Sequence, residues 1–268
     1  MLNLNKLIKE AKNGNLESKQ KLAFQYWSGI NIKQDYKLAM KLWKEVANHK
    51  EPVGSYNVAV MYYKGYGVKQ SYKKSFKYYT QCVSSIKKKY LACSKKNALG
   101  FIRESHYQIG EKMYFSAQFK KNNSLGIKHF EKAFKYGHFH AAYLLGLFHD
   151  VDKPDFYEIK KNKNKAIKYY KLASKYNYFP ALAQLSINYA NLILNKNNKI
   201  GFNHNFKMFK FYYKKAKRIK NKIIQTKLGL EEKQNLINEI QIEYKKCFDA
   251  VNDYLKKNKQ KDFDLKNY

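Results

Sequence analysis

Small residues recur along the chain at regular intervals, each after an aliphatic residue. The clearest copies are centred on Ala23 and Ala59, where a tyrosine also follows three positions later. Looser copies are centred on Gly110, Gly146 and Ser186, so the successive intervals are 36, 51, 36 and 40 residues. Two equal intervals and a third close to them indicate a structural repeat.

A second set of positions follows in phase with the first. Ala39, Trp43 and Ala47 have the i, i+4, i+8 spacing of one helical face. The same spacing recurs at Ser75-x3-Tyr79-x3-Val83, Gly126-x3-Phe130-x3-Phe134 and Ala166-x3-Tyr170-x3-Ser174. Each repeat is therefore predicted to be a helix A with the small residue, a turn, and a helix B with the aromatic residue. A small side chain lets two helices approach, and the aromatic ring fills the space beside it.

The turns of the first two repeats begin with glycine. Gly29 and Gly65 both stand six residues after the small residue of helix A. Glycine adopts positive φ without strain and so ends a helix. The third repeat departs from this pattern, because Ser116 stands where that glycine is expected.

The combined pattern, Leu-Ala/Gly-x-x-Tyr-x-x-Gly-x-Gly-Val followed by Ala-x3-Trp/Tyr-x3-Ala, resembles the Sel-one-like repeat, a relative of the tetratricopeptide repeat. The run from Val58 to Val68 is its most specific match, and the resemblance covers about residues 10–216. It implies an all-α fold, a right-handed α/α superhelical solenoid of about five two-helix repeats. It also implies an adaptor that holds other proteins rather than an enzyme, and an immunity or virulence-associated factor is one concrete version.

The domain organisation follows from where the period is interrupted. Residues 1–228 are predicted to form the solenoid, with an insertion at about 86–105 that lengthens a helix B or adds a helix. The insertion is either a contact region or a tolerated surface segment. Apolar residues seven apart predict an amphipathic helix over 229–258, either a terminal cap, which we favour, or a coiled-coil seam. Residues 259–268 are predicted to be a disordered tail.

Charge is distributed in blocks. The chain has 54 Lys+Arg against 20 Asp+Glu, a net charge of +34, but only Arg103 and Arg218 are arginine. Residues 52–103 and 159–230 contain no acidic residue. These blocks favour a partner with an acidic surface. The alternative is a nucleic-acid-binding protein, although the near absence of arginine argues against base recognition and indicates coding bias.

Two sets of side chains are candidates for binding. Lysines at helical spacing on B helices form the polyanion-binding set: Lys168, Lys171, Lys175, Lys207, Lys210 and Lys214, with Arg218. Aromatic residues on A helices form the partner-binding set: Trp27, Tyr63, Tyr114 and Tyr189. Aromatic rings anchor protein interfaces at low entropic cost.

Catalytic and metal-binding motifs are not found. The seven histidines lack ligand spacing, and the acidic run from Asp150 to Glu158 has a proline where a calcium loop needs an oxygen ligand. We therefore expect no enzyme activity, no cofactor and no metal. Three cysteines that cannot all pair with one another, with no signal-like or membrane-spanning run, predict a cytoplasmic protein, and export without a cleavable signal stays open. The oligomeric state stays open.

Overall fold

A computed structural model describes residues 4–86, 90–116, 122–150, 160–194, 202–225, 245–246 and 248–254. Every regular element of these ranges is a helix. The helices are α1 Leu4–Lys12, α2 Leu16–Ser28, α3 Tyr36–Asn48, α4 Pro52–Lys64, α5 Tyr72–Ser84, α6 Lys95–Phe115, α7 Asn123–Lys135, α8 Phe139–Asp150, α9 Lys163–Ser174, α10 Phe179–Leu194 and α11 Phe202–Gln225. Helices α2 to α11 alternate as the predicted A and B helices of five repeats, and α1 precedes them.

The chain divides into two compact units, Met1–Ala141 and Ala142–Tyr268. In the first unit α1 to α7 pack pairwise, each against its neighbour in sequence, and α4 also packs on α6. In the second unit α10 packs against both α9 and α11. Each unit is thus a stack of helix pairs, the arrangement that a short repeat needs to bury its apolar faces.

Close helix packing at the small residues is confirmed. Ala23 and Ala59 are fully buried. A Cβ on Gly110 would lie 3.0 Å from the carbonyl oxygen of Gly126, and one on Gly146 would lie 2.4 Å from Cε1 of Tyr170. The partner aromatics of the B helices are buried as predicted: Trp43, Tyr79, Phe130 and Tyr170.

Four of the helix pairs are closed by one recurring hydrogen bond. In the first pair, the backbone N–H of Asp35, the N-cap of α3, donates to the carbonyl oxygen of Tyr26 at 2.8 Å. The equivalent bonds run from Ser71 to Tyr62, from Asn122 to Met113 and from Asn162 to His149. The acceptor is always the third residue after the small residue. The third pair therefore closes like the others although its turn lacks the glycine.

Gly29 and Gly65 end α2 and α4 with φ of 71° and 77°, as their position predicts.

The structure of the insertion differs from the prediction that it lengthens a helix B or adds a helix. Helix α5 ends at Ser84 and is not lengthened; instead α6 has 21 residues where α2 and α4 have 13. Residues 95–102 contain no proline and bury Ala98 and Ile102 on one face, so they continue the following helix A toward its N-terminus.

Most of the predicted C-terminal helix lies outside the described residues, as do the tail 259–268 and Cys247. Residues 245–246 and 248–254 are helical. The ring of Phe248 stacks on Tyr213 of α11 at a centroid distance of 4.6 Å, and Val251 is fully buried. This contact supports the cap, which stays a proposal.

Candidate functional site

The four aromatic candidates fall into two groups. Trp27 and Tyr63 are partly buried, and their carbonyl oxygens accept equivalent hydrogen bonds from Gln34 (2.8 Å) and Gln70 (2.7 Å). Tyr114 is 6% exposed and Tyr189 is 4% exposed, so neither offers a ring face to a partner.

Each of the two buried tyrosines has a local reason for its position. Tyr114 has the same register as Trp27 and Tyr63, four residues after the small residue, but it lies against Gly126, which leaves room for it in the helix pair. Tyr189 has the register of Tyr62, which is also buried. We therefore remove Tyr114 and Tyr189 from the set that contacts a partner directly.

The structure brings three of the candidate lysines together at one groove. Lys168, Lys171 and Lys175 lie on one face of α9 and at its C-cap, and all three are exposed. They line a cavity of about 600 Å³, which we call the lysine groove; its other lining residues are Asn164, Ile167, Leu172, Tyr189, Leu192, His204 and Asn205. The sequence pattern singled out Tyr189 of α10 but not Leu192, His204 or Asn205, because the proximity of α10 and α11 to α9 depends on helix packing.

Tyr189 is one of the residues that line the lysine groove. Its ring stacks on Tyr212 at 5.8 Å with an interplanar angle of 9°, and the Nζ of Lys171 lies 5.7 Å from its centroid. A hydrogen bond between Lys171 and Tyr189 raises the pKa of Lys171, against the opposing effect of burial. The tyrosine thus holds a charged ammonium group at the groove rather than touching a partner itself.

The α11 candidates are placed differently. Lys207, Lys214 and Arg218 are exposed, whereas Lys210 is partly buried with its Nζ 5.4 Å from the ring centroid of Phe206. None of these four is among the residues that line the lysine groove. The polyanion-binding set is therefore two separate groups.

No acidic side chain is among the described residues that line the lysine groove, and residues 159–230 contain neither Asp nor Glu. Asp150, the last described acid before this block, accepts hydrogen bonds from Tyr170 Oη at 3.1 Å and Asn188 Nδ2 at 3.0 Å. The lysine groove combines three ammonium groups with the apolar side chains of Ile167 and Leu192. This composition suits a ligand with both carboxylates and apolar groups.

The described part of the chain shows no group of three or more His, Cys, Asp or Glu placed to hold a metal ion. The acidic run that follows Asp150 lies outside the described residues.

Burial raises the pKa of Cys82 to about 12 and that of Cys93 to about 11, so both thiols stay protonated at neutral pH and are poor nucleophiles. None of the described helices is long and apolar enough to cross a bilayer.

The stacked helix pairs define an α/α-repeat protein. The Sel1 repeat matches at residues 17–49, 52–81, 103–138 and 139–175, about half of the chain. The chain therefore belongs to the Sel1 repeat family, and the predicted fold class is confirmed. Repeats of this family generally mediate protein–protein interaction and form scaffolds. A comparison with curated protein sequences finds no match.

Solved structures share the fold. A protective antigen from uropathogenic Escherichia coli, which displays an SLR fold, has a TM-score of 0.61 at 19% identity over 79% of this chain and 40% of its own. A Sel1 repeat protein from Oxalobacter formigenes has a TM-score of 0.58 at 20% identity over 81% and 84%. This chain thus spans 40% of the first neighbour's length. An immunity protein from Pseudomonas aeruginosa has a TM-score of only 0.33 at 14% identity, over 76% of this chain and 83% of its own.

Proposed function

We propose that this chain is a non-enzymatic adaptor that holds an acidic segment of a partner protein in the lysine groove. The observation behind the proposal is the groove itself, where Lys168, Lys171 and Lys175 meet apolar side chains and no acid is among the described lining residues. Membership of the Sel1 repeat family supports a protein partner over a small-molecule substrate.

The groove favours a peptide over a nucleic acid. Single-stranded nucleic acids bind to exposed aromatic faces on which bases stack, but Tyr189 is 4% exposed and its ring is covered by Tyr212. Leu192 and Ile167 instead offer aliphatic surface, which suits leucine-like side chains between carboxylates.

The more specific role, an immunity or virulence-associated factor in the cytoplasm, stays a prediction.

The test is a fluorescence anisotropy titration with a labelled peptide of alternating Glu and Leu, with oligouridylate as the competing probe. The triple variant Lys168→Ala/Lys171→Ala/Lys175→Ala should bind the peptide about tenfold more weakly, a loss of about 1.4 kcal/mol. The triple variant Lys207→Ala/Lys214→Ala/Arg218→Ala removes the same charge from exposed positions of the same unit and should leave binding almost unchanged.

Equal weakening by both triple variants would show that only total charge matters and would overturn the proposal. Tighter binding of oligouridylate than of the peptide, with a steep loss between low and moderate salt, would instead favour the nucleic-acid alternative.

A further inference from the structure

The insertion forms a second groove, in the first unit. The Sel1 match of the third repeat begins at residue 103, so the first eight residues of α6, 95–102, precede the repeat. They are held in place because Ala92 and Phe101 pack with Leu16, Val46 and Val53. These extra turns of α6 therefore form one wall of the groove.

This insertion groove has a volume of about 610 Å³ and is lined by Tyr56, Lys96, Asn97, Leu99, Gly100, Phe101, Arg103, Glu104 and Tyr136. The ring of Tyr56 lies 5.3 Å from that of Phe101, so one wall is aromatic. Gly100 is one of the lining residues, and a Cβ on it would meet no atom within 4 Å, so there is open space beside α6 at this point of the groove.

Arg103 is an unusual residue for this chain. Of the 54 basic residues in the chain, 52 are lysine, and the other arginine is Arg218. A lysine would supply positive charge equally well, whereas the planar guanidinium adds paired N–H donors that match a carboxylate. Arginine at this position therefore indicates recognition of a planar anion rather than a general need for charge.

The Arg103 side chain has donor capacity that the protein does not use. Its Nε is buried and has no hydrogen-bond partner among the described residues. The adjacent Glu104 does not supply one: its Oε2 lies 3.2 Å from Nε2 of His138, and its Oε1 accepts from Gln108. A guanidinium with an unsatisfied donor gains from a ligand that supplies a hydrogen-bond acceptor.

We propose that the insertion groove binds a peptide segment that has a carboxylate next to an aromatic side chain. The carboxylate accepts hydrogen bonds from Arg103 with Lys96 nearby, and the aromatic side chain packs against Tyr56 and Phe101 beside Gly100. This site lies wholly in the first unit and does not depend on the lysine groove.

The composition of the chain offers a selective probe of the site. Protein labelled with [¹⁵N]arginine has two Nε–H signals, one each from Arg103 and Arg218, and the Arg218→Lys variant assigns them. The ligand is N-acetyl-glutamyl-phenylalanine amide, and the control is the glutaminyl analogue, which lacks only the negative charge. The Arg103 signal should shift saturably with the glutamyl peptide and stay in place with the glutaminyl peptide, while the Arg218 signal does not move.

Two variants complete the test. Gly100→Phe places a ring in the open space of the groove and should abolish the shift, with the circular dichroism spectrum and unfolding midpoint recorded to confirm that the variant folds. Arg103→Lys should weaken binding of the same peptide, measured by calorimetry, about tenfold, because an ammonium group cannot form two parallel hydrogen bonds.

The inference is overturned if both arginine signals move together, or if the glutaminyl peptide or inorganic phosphate gives the same shift. It is also overturned if the shift survives in a folded Gly100→Phe protein.

Repeating the titration with Lys168→Ala/Lys171→Ala/Lys175→Ala separates this site from the proposed adaptor function. An unchanged Arg103 shift is expected in that variant, and its loss would contradict the independence of the two grooves.

Discussion

The ammonium nitrogen of Lys112 lies 4.4 Å from the ring centroid of Tyr63 and 5.2 Å from that of Tyr79. Lys112 is 4% exposed, its Nζ donates to Oε1 of Gln108 at 2.9 Å, and burial lowers its pKa. A tyrosine that the sequence predicts to face a partner is thus bound on one side by a lysine of its own chain, which joins α4 to α6.

Removing the Lys112 side chain should destabilise the first unit mainly through lost packing. Lys112→Ala is expected to lower the free energy of unfolding by about 2 kcal/mol, from the lost stem and the cation–π contacts. Lys112→Met keeps most of the stem and removes a buried charge, so it should cost less than half as much. Urea unfolding measures both. An equal loss in the two variants would show that charge, not packing, is the main contribution.

Helices α3 and α4 approach so closely that position 54 has no room for a methyl group. A Cβ on Gly54 would lie 2.5 Å from the backbone nitrogen of Ala47 and 2.8 Å from the carbonyl oxygen of Trp43. Backbone atoms cannot move aside without separating the helices, so Gly54→Ala should lower stability by about 1–3 kcal/mol. Gly100→Ala, also helical but with open space, should instead raise it by about 0.5–1 kcal/mol. Urea midpoints of the two proteins should move in opposite directions, and a parallel movement would contradict the packing argument.

Asp35 closes the first helix pair through two hydrogen bonds. Its Oδ1 accepts from the N–H of Leu38 at 2.9 Å, and its own N–H donates to Tyr26. Asp35→Ala should cost about 1 kcal/mol because the N-cap acceptor is lost. Asp35→Asn keeps a side-chain oxygen and should cost clearly less. Thermal unfolding compares the two, and an asparagine as damaging as alanine would rule out capping as the cause.

The sequence predicted the helix pairs well because their determinants are local. Small and aromatic residues at fixed spacing determine which faces pack, and Gly29 and Gly65 mark two helix ends. The closing hydrogen bonds were missed, although Asp35, Ser71 and Asn122 are ordinary N-cap residue types that could have marked the start of each helix B.

The grooves were less predictable because they depend on contacts between distant segments. Helical spacing found Lys168, Lys171 and Lys175, but nothing local places His204 beside them. The insertion at 86–105 was found from the period alone. That it lengthens α6, and so leaves Arg103 beside Tyr136, depends on its packing against α2, α3 and α4.

Four histidines gather where α6, α7 and the start of α8 meet. Nδ1 of His106 lies 3.0 Å from Nδ1 of His129, and Nδ1 of His140 lies 3.4 Å from the hydroxyl of Tyr107. Burial lowers the pKa of His106, His129 and His140 to about 4. Neighbouring positive charge lowers these pKa values further: Lys132 and His129 act on His106, Lys132 on His129, and His138 on His140, where Glu104 partly opposes the effect.

These histidines make the first unit sensitive to acid. His106, His129 and His140 are neutral in the folded state near neutral pH, whereas in the unfolded chain they take up protons below about pH 6.5. The unfolded state therefore binds more protons, so stability is complete above about pH 6.5 and declines as the pH falls toward about 4. Glu104 acts in the same direction: burial alone would raise its pKa, but the hydrogen bond from His138 and the nearby positive charges hold it lower overall. Urea midpoints recorded from about pH 7.5 to about pH 5 should fall in the unmodified protein. They should fall less in His106→Gln/His129→Gln, which lacks two of the buried imidazoles. A double variant with an unchanged slope would place the acid sensitivity elsewhere in the chain.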